Sequence, residues 1–163
     1  MKDNKARHIN KVILALTAVL LAIVCISIVM SPIRFSKERS RREQAVKSCL
    51  VAIRQAQEQY CERHGEYAPS FARLIQEKLL SDTMQYIPHC GEKRFKMETT
   101  IHQTKSGKQI PLMECSVDYK TLFKGLDKSE IRRITEGAIR DGRYPGLKIG
   151  DLTTPNDNAG NWE

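Results

Sequence analysis

The run VILALTAVLLAIVCISIVM, residues 12–30, holds nineteen residues without a charge. Such a segment must be covered by lipid, by other protein or by the chain's own core, and that need limits every later choice. As a helix rising about 1.5 Å per residue it spans roughly 28 Å, close to the ~30 Å hydrocarbon thickness of a bilayer. A secretory signal peptide has a shorter apolar core, about 7–15 residues, ending in a small-x-small cleavage site. The end of this run, ISIVMSPIR, has no such site, and Cys25 lacks the small residue a lipoprotein cleavage site needs before it. The expectation is an uncleaved single-pass membrane helix.

The net charge of +8 follows that segment. Residues 1–11 net +3, through Lys2, Lys5, Arg7 and Lys11 against Asp3, and residues 34–47 net +4. Everything from residue 48 onward contributes only +1. Basic side chains flanking an apolar helix interact with anionic lipid at about 1 kcal/mol each, whereas a nucleic-acid-binding domain holds its charge on the folded body. Nucleic-acid binding is therefore not expected, and membrane lipid is. The chain divides into a basic N-terminal segment (1–11), the membrane helix (12–30), a basic juxtamembrane segment (31–47) and a folded domain (48–163).

Pro32 is expected to kink or break the helix leaving the membrane. Beyond it, Val46, Cys49, Leu50, Ile53, Ala56 and Tyr60 recur at spacings of three and four, so an amphipathic spine helix is predicted from about 38 to 63. Gly65 is suited to close it. Ser70 is positioned to cap a short second helix with Phe71, Leu74, Ile75 and Leu79 inward. Period two then takes over. A hairpin with a three-residue loop, Lys105-Ser106-Gly107, pairs Phe95 with Val117, Met97 with Cys115 and Ile101 with Pro111. Asp127 and Glu130 form a capping box for another helix, with Ile131, Ile134, Ala138 and Ile139 inward. The fold class is α+β: a membrane helix continued as a spine, short helices and a small antiparallel sheet.

Two stretches carry a resemblance. Residues 53–80, with Tyr60 and Tyr67 separated by six residues and then SFARLIQEKLL, resemble the spine and following helix of type II secretion pseudopilins and type IV pilins. The end, LKIGDLTTPNDNAGNWE, is similar to the major pseudopilin tail, with its Gly-rich loop, Asn-Asp run and final Asn-Trp. The same ending, with YPGL before it, resembles a group of Bacteroidota membrane proteins. The segment HINKVILALTAVLL has neither the family's Gly cleavage site nor the Glu that follows it. The resemblance thus implies the fold, without prepilin processing or the intramembrane carboxylate used in filament assembly. It implies a domain outside the cytoplasm, anchored in the inner membrane. The positive-inside count, four basic residues before the apolar run against six after it, narrowly favours the opposite orientation. The pilin-like plan is set above that margin.

In the major pseudopilin, tail carboxylates and carbonyls bind calcium and a Trp packs beside it. Mapped here, the resemblance gives Leu152 as a carbonyl donor and Asp151, Asn156, Asp157 and Asn158 as side-chain donors. Calcium takes six to eight oxygens, and two carboxylates make a weak site. The other reading is a metal-free turn closed by Asx side chains, with no cofactor. Trp162, the sole tryptophan, is the expected tail anchor. Its burial supplies several kcal/mol, whereas ordering a ten-residue tail costs on the order of 10 kcal/mol, so tail hydrogen bonds to the sheet are also required.

The remaining chemistry is sparse. His8, His64, His89 and His102 show no zinc spacing, and no nucleophile elbow, phosphate loop or paired helical carboxylates occur. An enzyme is not expected. Cys49 and Cys61 lie twelve residues apart on one helix, roughly 18 Å, beyond the ~7 Å a disulfide allows. In an extracytoplasmic domain Cys61–Cys115 is the candidate bridge, and free apolar cysteines are the alternative. The expected role is a structural subunit or accessory component of an envelope assembly, partnered by membrane or envelope proteins or a second copy of the chain. A membrane-tethered binding or sensor module that recruits a soluble partner is the other reading.

Overall fold

The computed structural model describes the backbone of residues 2–104 and 107–163, and the side chains of these residues other than 2–12 and 26–32. The chain separates into two compact units, residues 1–38 and 39–163. Helix α1 (Lys2–His64) contributes to both. It continues as helix through Pro32, where a kink or a break was expected. Proline's fixed φ is a helical value, and a long helix carries the loss of one hydrogen bond.

Among the described residues, no helix is long and apolar enough to cross a membrane. The expected span 12–30 includes residue 12 and residues 26–30, whose side chains lie outside the described ones.

The second unit is α+β. After α1 come α2 (Phe71–Gln76), a 3-10 turn (Asp82–Gln85), strands β1 (Lys96–Gln103) and β2 (Gln109–Asp118), helices α3 (Tyr119–Leu122) and α4 (Lys128–Arg140), and strand β3 (Gly146–Gly150). The sheet is antiparallel with order β1-β2-β3. From Arg39 onward α1 buries Val46, Leu50, Ile53, Ala56 and Tyr60, the predicted stripe, with Cys49 half-buried at its margin. The helix ends at His64, and Gly65 N–H returns to the Cys61 carbonyl at 2.8 Å.

The hairpin register is the one the alternation predicts: Met97 faces Cys115 and Ile101 faces Pro111. Strand β1 starts at Lys96, so Phe95 lies outside the ladder and its N–H bonds the Gln85 carbonyl instead. Of the loop residues, Lys105 and Ser106 lie outside the described ones, while Gly107 takes a left-handed φ of 82°. Gln57 on α1 donates to the Met97 sulfur at 3.1 Å. The sheet face shared by Met97, Cys115 and Ile149 therefore lies toward the spine helix.

Three local expectations change. Ser70 occupies the N-cap of α2 in extended backbone, but its side chain makes no capping hydrogen bond. Asp127 caps α4 by accepting from Ser129 and Glu130 N–H groups, whereas Glu130 turns to Arg133 and leaves the box half-closed. Ile139, predicted inward, is 59% exposed. The inward residues are Ile131, Thr135 and Ala138. At about 100° per residue, Ile139 stands roughly 80° round the helix from Ile131, outside the covered sector.

Candidate functional site

Residues 151–163 form the candidate site. It is built on β3, a strand with glycine at both ends. Gly150 has φ of 70°, and a Cβ there would stand 2.1 Å from the Met113 carbonyl oxygen, so no larger residue fits the close strand approach. The tail then doubles back along the outer edge of β3. Gly150 N–H donates to the Ala159 carbonyl at 3.1 Å, and Asn161 N–H to the Lys148 carbonyl at 3.0 Å. The Asn161 side chain completes the ladder: Oδ1 accepts from Lys148 N–H and Nδ2 donates to the Gly146 carbonyl. These are the tail-to-sheet bonds that the ordering cost requires.

Trp162 is half-buried and is not one of the buried core residues. A Cβ on Gly160 would fall 2.6 Å from its ring, so the indole is folded flat over the Gly160 backbone. Lys47 Nζ lies over the ring, 5.4 Å from its centroid. The anchor is a clasp over glycine.

The spine reaches the same tail. Arg54 Nη1 lies 3.0 Å from one Glu163 carboxylate oxygen and 3.1 Å from the other. Asn158 Nδ2 donates to the Tyr67 hydroxyl at 2.8 Å, and more distantly to Glu58. Burial is the main influence on Tyr67 and raises its pKa.

Asp151 is engaged on every side. Its Oδ1 accepts from Thr153 N–H, the Thr153 hydroxyl and Thr154 N–H, and its Oδ2 from Lys148 Nζ at 3.0 Å. The Thr153 hydroxyl, then the Thr153 N–H and Lys148, hold its carboxyl far below the usual carboxylate range. Lys148 also donates to Glu114 at 2.9 Å. Burial opposes its charge, but the bonds to Glu114 and Asp151 prevail and raise its pKa.

The five residues given as calcium donors are thus brought to one loop but committed differently. Asp151 is spent on an Asx turn beside an ammonium group, and Asn158 on Tyr67. Asn156 and Asp157 are exposed, with Asp157 and Asn158 in left-handed backbone at φ of 53° and 54°. No group of three or more His, Cys, Asp or Glu side chains gathers to hold a metal among the described residues. This donor set does not fit calcium as arranged, because Lys148 occupies the place of a cation on Asp151. The cysteines are free thiols: Cys61 is half-buried, Cys115 is fully buried, and no bridge joins them. Burial pushes the Cys115 thiol far up.

Sequence reading did not connect Arg54, Tyr67, Glu114 or Lys148 to the tail, because the first three lie far from it along the chain and Lys148 carries no local signature. The chain matches no protein-family model, and no curated protein or solved structure matches it.

Proposed function

We propose that the chain is a single-pass, membrane-anchored structural subunit or accessory component of a cell-envelope assembly, sited in the cytoplasmic membrane with its 39–163 unit outside the cytoplasm. One observation supports the anchor above others. Every residue from 13 to 25 is exposed, although nearly all are apolar. The large hydrophobic side chains among them range from 46% exposure at Val24 to 71% at Leu14. Covering a Leu, Ile or Val is worth about 1.5–3 kcal/mol, so this stretch leaves on the order of 10 kcal/mol to be satisfied by an apolar surrounding. A bilayer is apolar all round the helix, as these exposures demand. The structural role rests on the tail, whose groups clasp segments of the fold together, and on the pilin-like order of spine helix, short helix and small sheet.

Alkaline extraction of membranes tests the anchor, and should leave the full chain in the pellet. Release to the supernatant would end this reading. Alkaline phosphatase fused after Glu163 should be active, since that enzyme needs an oxidising compartment. A silent phosphatase fusion beside a fluorescent cytoplasmic-reporter fusion would reverse the orientation. Crosslinking in mild detergent should trap an oligomer or envelope partner through the spine.

A further inference from the structure

Thr104 N–H donates to the Lys108 carbonyl at 2.9 Å, so the backbone at position 104 faces the β2 side of the hairpin. Backbone direction alternates along a strand, and the even residues of β1 therefore turn their N–H and C=O groups toward β2. The odd ones, Met97, Thr99, Ile101 and Gln103, turn theirs away, and among the described residues these groups have no hydrogen-bond partner. Pro111 fits this parity, since it faces Ile101 at a level where the ladder asks for no N–H. Just upstream the chain fills the same edge itself. Residues 85–87 run antiparallel beside 93–95, with Phe95 N–H donating to the Gln85 carbonyl at 3.0 Å and Ile87 N–H to the Lys93 carbonyl at 2.8 Å. That cover stops before Met97.

β1 lacks the features that blunt an open edge. Its register runs without a bulge from Lys96 to Gln103, it holds no proline, and its odd residues carry no charge. Two recesses adjoin it. One, of about 610 Å³, is lined by Pro69, Phe71, Ile75 and Met97, and the other, of about 230 Å³, by Tyr67, Pro69, Ile101 and Pro111. Ile101 is itself 52% exposed. We propose that β1 accepts one extended segment of another protein as an added antiparallel strand, with apolar side chains at every second position. It continues the cover that residues 85–87 begin. Segment residues opposite Met97 and Ile101 stand about 13 Å apart and enter the two recesses. Backbone bonds supply the affinity, and the recesses the choice of side chain. A second copy of the chain is a poorer occupant. Its odd residues would pair with odd ones, bringing its own wall of residues 67–71 to the same face as this one. The proposal does not depend on the anchored reading given above.

The test titrates a fluorescein-labelled peptide, alternating leucine with threonine, into the full chain in detergent micelles, with empty micelles as the blank. Fluorescence polarisation should rise and saturate. N-methylation of the leucines, whose N–H groups face β1 in this arrangement, should weaken binding about tenfold or more, and N-methylation of the threonines should not. Thr99→Pro should weaken it by a similar factor, since proline removes an N–H that points off the sheet and leaves the β1–β2 ladder intact. In the bound state, amide exchange should slow at Met97, Thr99, Ile101 and Gln103. An absence of binding, binding indifferent to either change, or loss on methylating the threonines instead would overturn the proposal. Protection of the same amides by raising the protein concentration alone would give the edge to a second copy, and would overturn it too.

Discussion

Gln57 and Ala68 hold one another by two hydrogen bonds. The Gln57 side-chain amide donates to the Ala68 carbonyl at 3.0 Å and accepts from the Ala68 N–H at 2.8 Å. Both residues are fully buried. A side-chain amide here takes the place of a neighbouring strand, fixing the segment that leaves α1 against the helix it has just left. Gln57→Leu keeps the bulk and strands both backbone groups, for about 2–3 kcal/mol. Thermal unfolding of the full chain in detergent, followed by circular dichroism, should show a fall of several degrees. An unchanged midpoint would mean that the segment repacks without the clamp.

Gly160→Ala should dislodge the indole, since the added methyl would meet the ring at 2.6 Å. Trp162 is the only tryptophan, so its fluorescence reports the clasp directly. A red-shifted emission is expected, matching the exposed state. Trp162→Ala should cost only about 1–2 kcal/mol, given a half-buried ring with one cation over it. Deleting residues 155–163 should cost more, because it also strips the hydrogen bonds from β3. Equal losses for the two changes would show that the ring, and not the ladder, holds the tail.

Asp151 sets an acid sensitivity. Its folded pKa lies below the unfolded value near 3.9, so the folded state binds fewer protons than the unfolded one. The stabilisation is complete above about pH 4 and is lost as pH falls below that. Asp151→Asn should lower stability at neutral pH and flatten its decline in acid. Calcium at millimolar concentration should leave the wild-type melting temperature unchanged, as Lys148 already pairs with this carboxylate. A rise with calcium would restore the pseudopilin-like reading of the loop.

Cys115 should resist alkylation until the protein unfolds, because burial keeps its thiol protonated and covered. Intact mass should be unchanged by reductant. A gain on reduction, mapped to Cys61 and Cys115, would establish the bridge instead.

The hairpin was legible because two signals agree on it: apolar residues at every second position and a glycine where the loop needs a left-handed turn. The spine stripe was legible for the same kind of reason. Strand β3 was not, since GLKIG is short and glycine-bounded and takes its strand state from pairing with β2. Ile139 misled because a spacing of eight from Ile131 suggests a shared face, while the covered sector of α4 is narrower than that. The tail's partners were the least accessible. Asn158 meets Tyr67 across 91 positions and Glu163 meets Arg54 across 109, and neither side chain marks its partner in the sequence.

The returning tail also fixes how many neighbours the sheet can accept. Residues 159–161 already occupy the hydrogen-bonding groups along the outer side of β3. Among the described residues this leaves β1 as the sheet's single open margin. A unit with one such margin has a valence of one. Two molecules joined strand to strand through β1 would each have nothing left to offer a third, so that mode of association stops at a pair and cannot grow into a fibre.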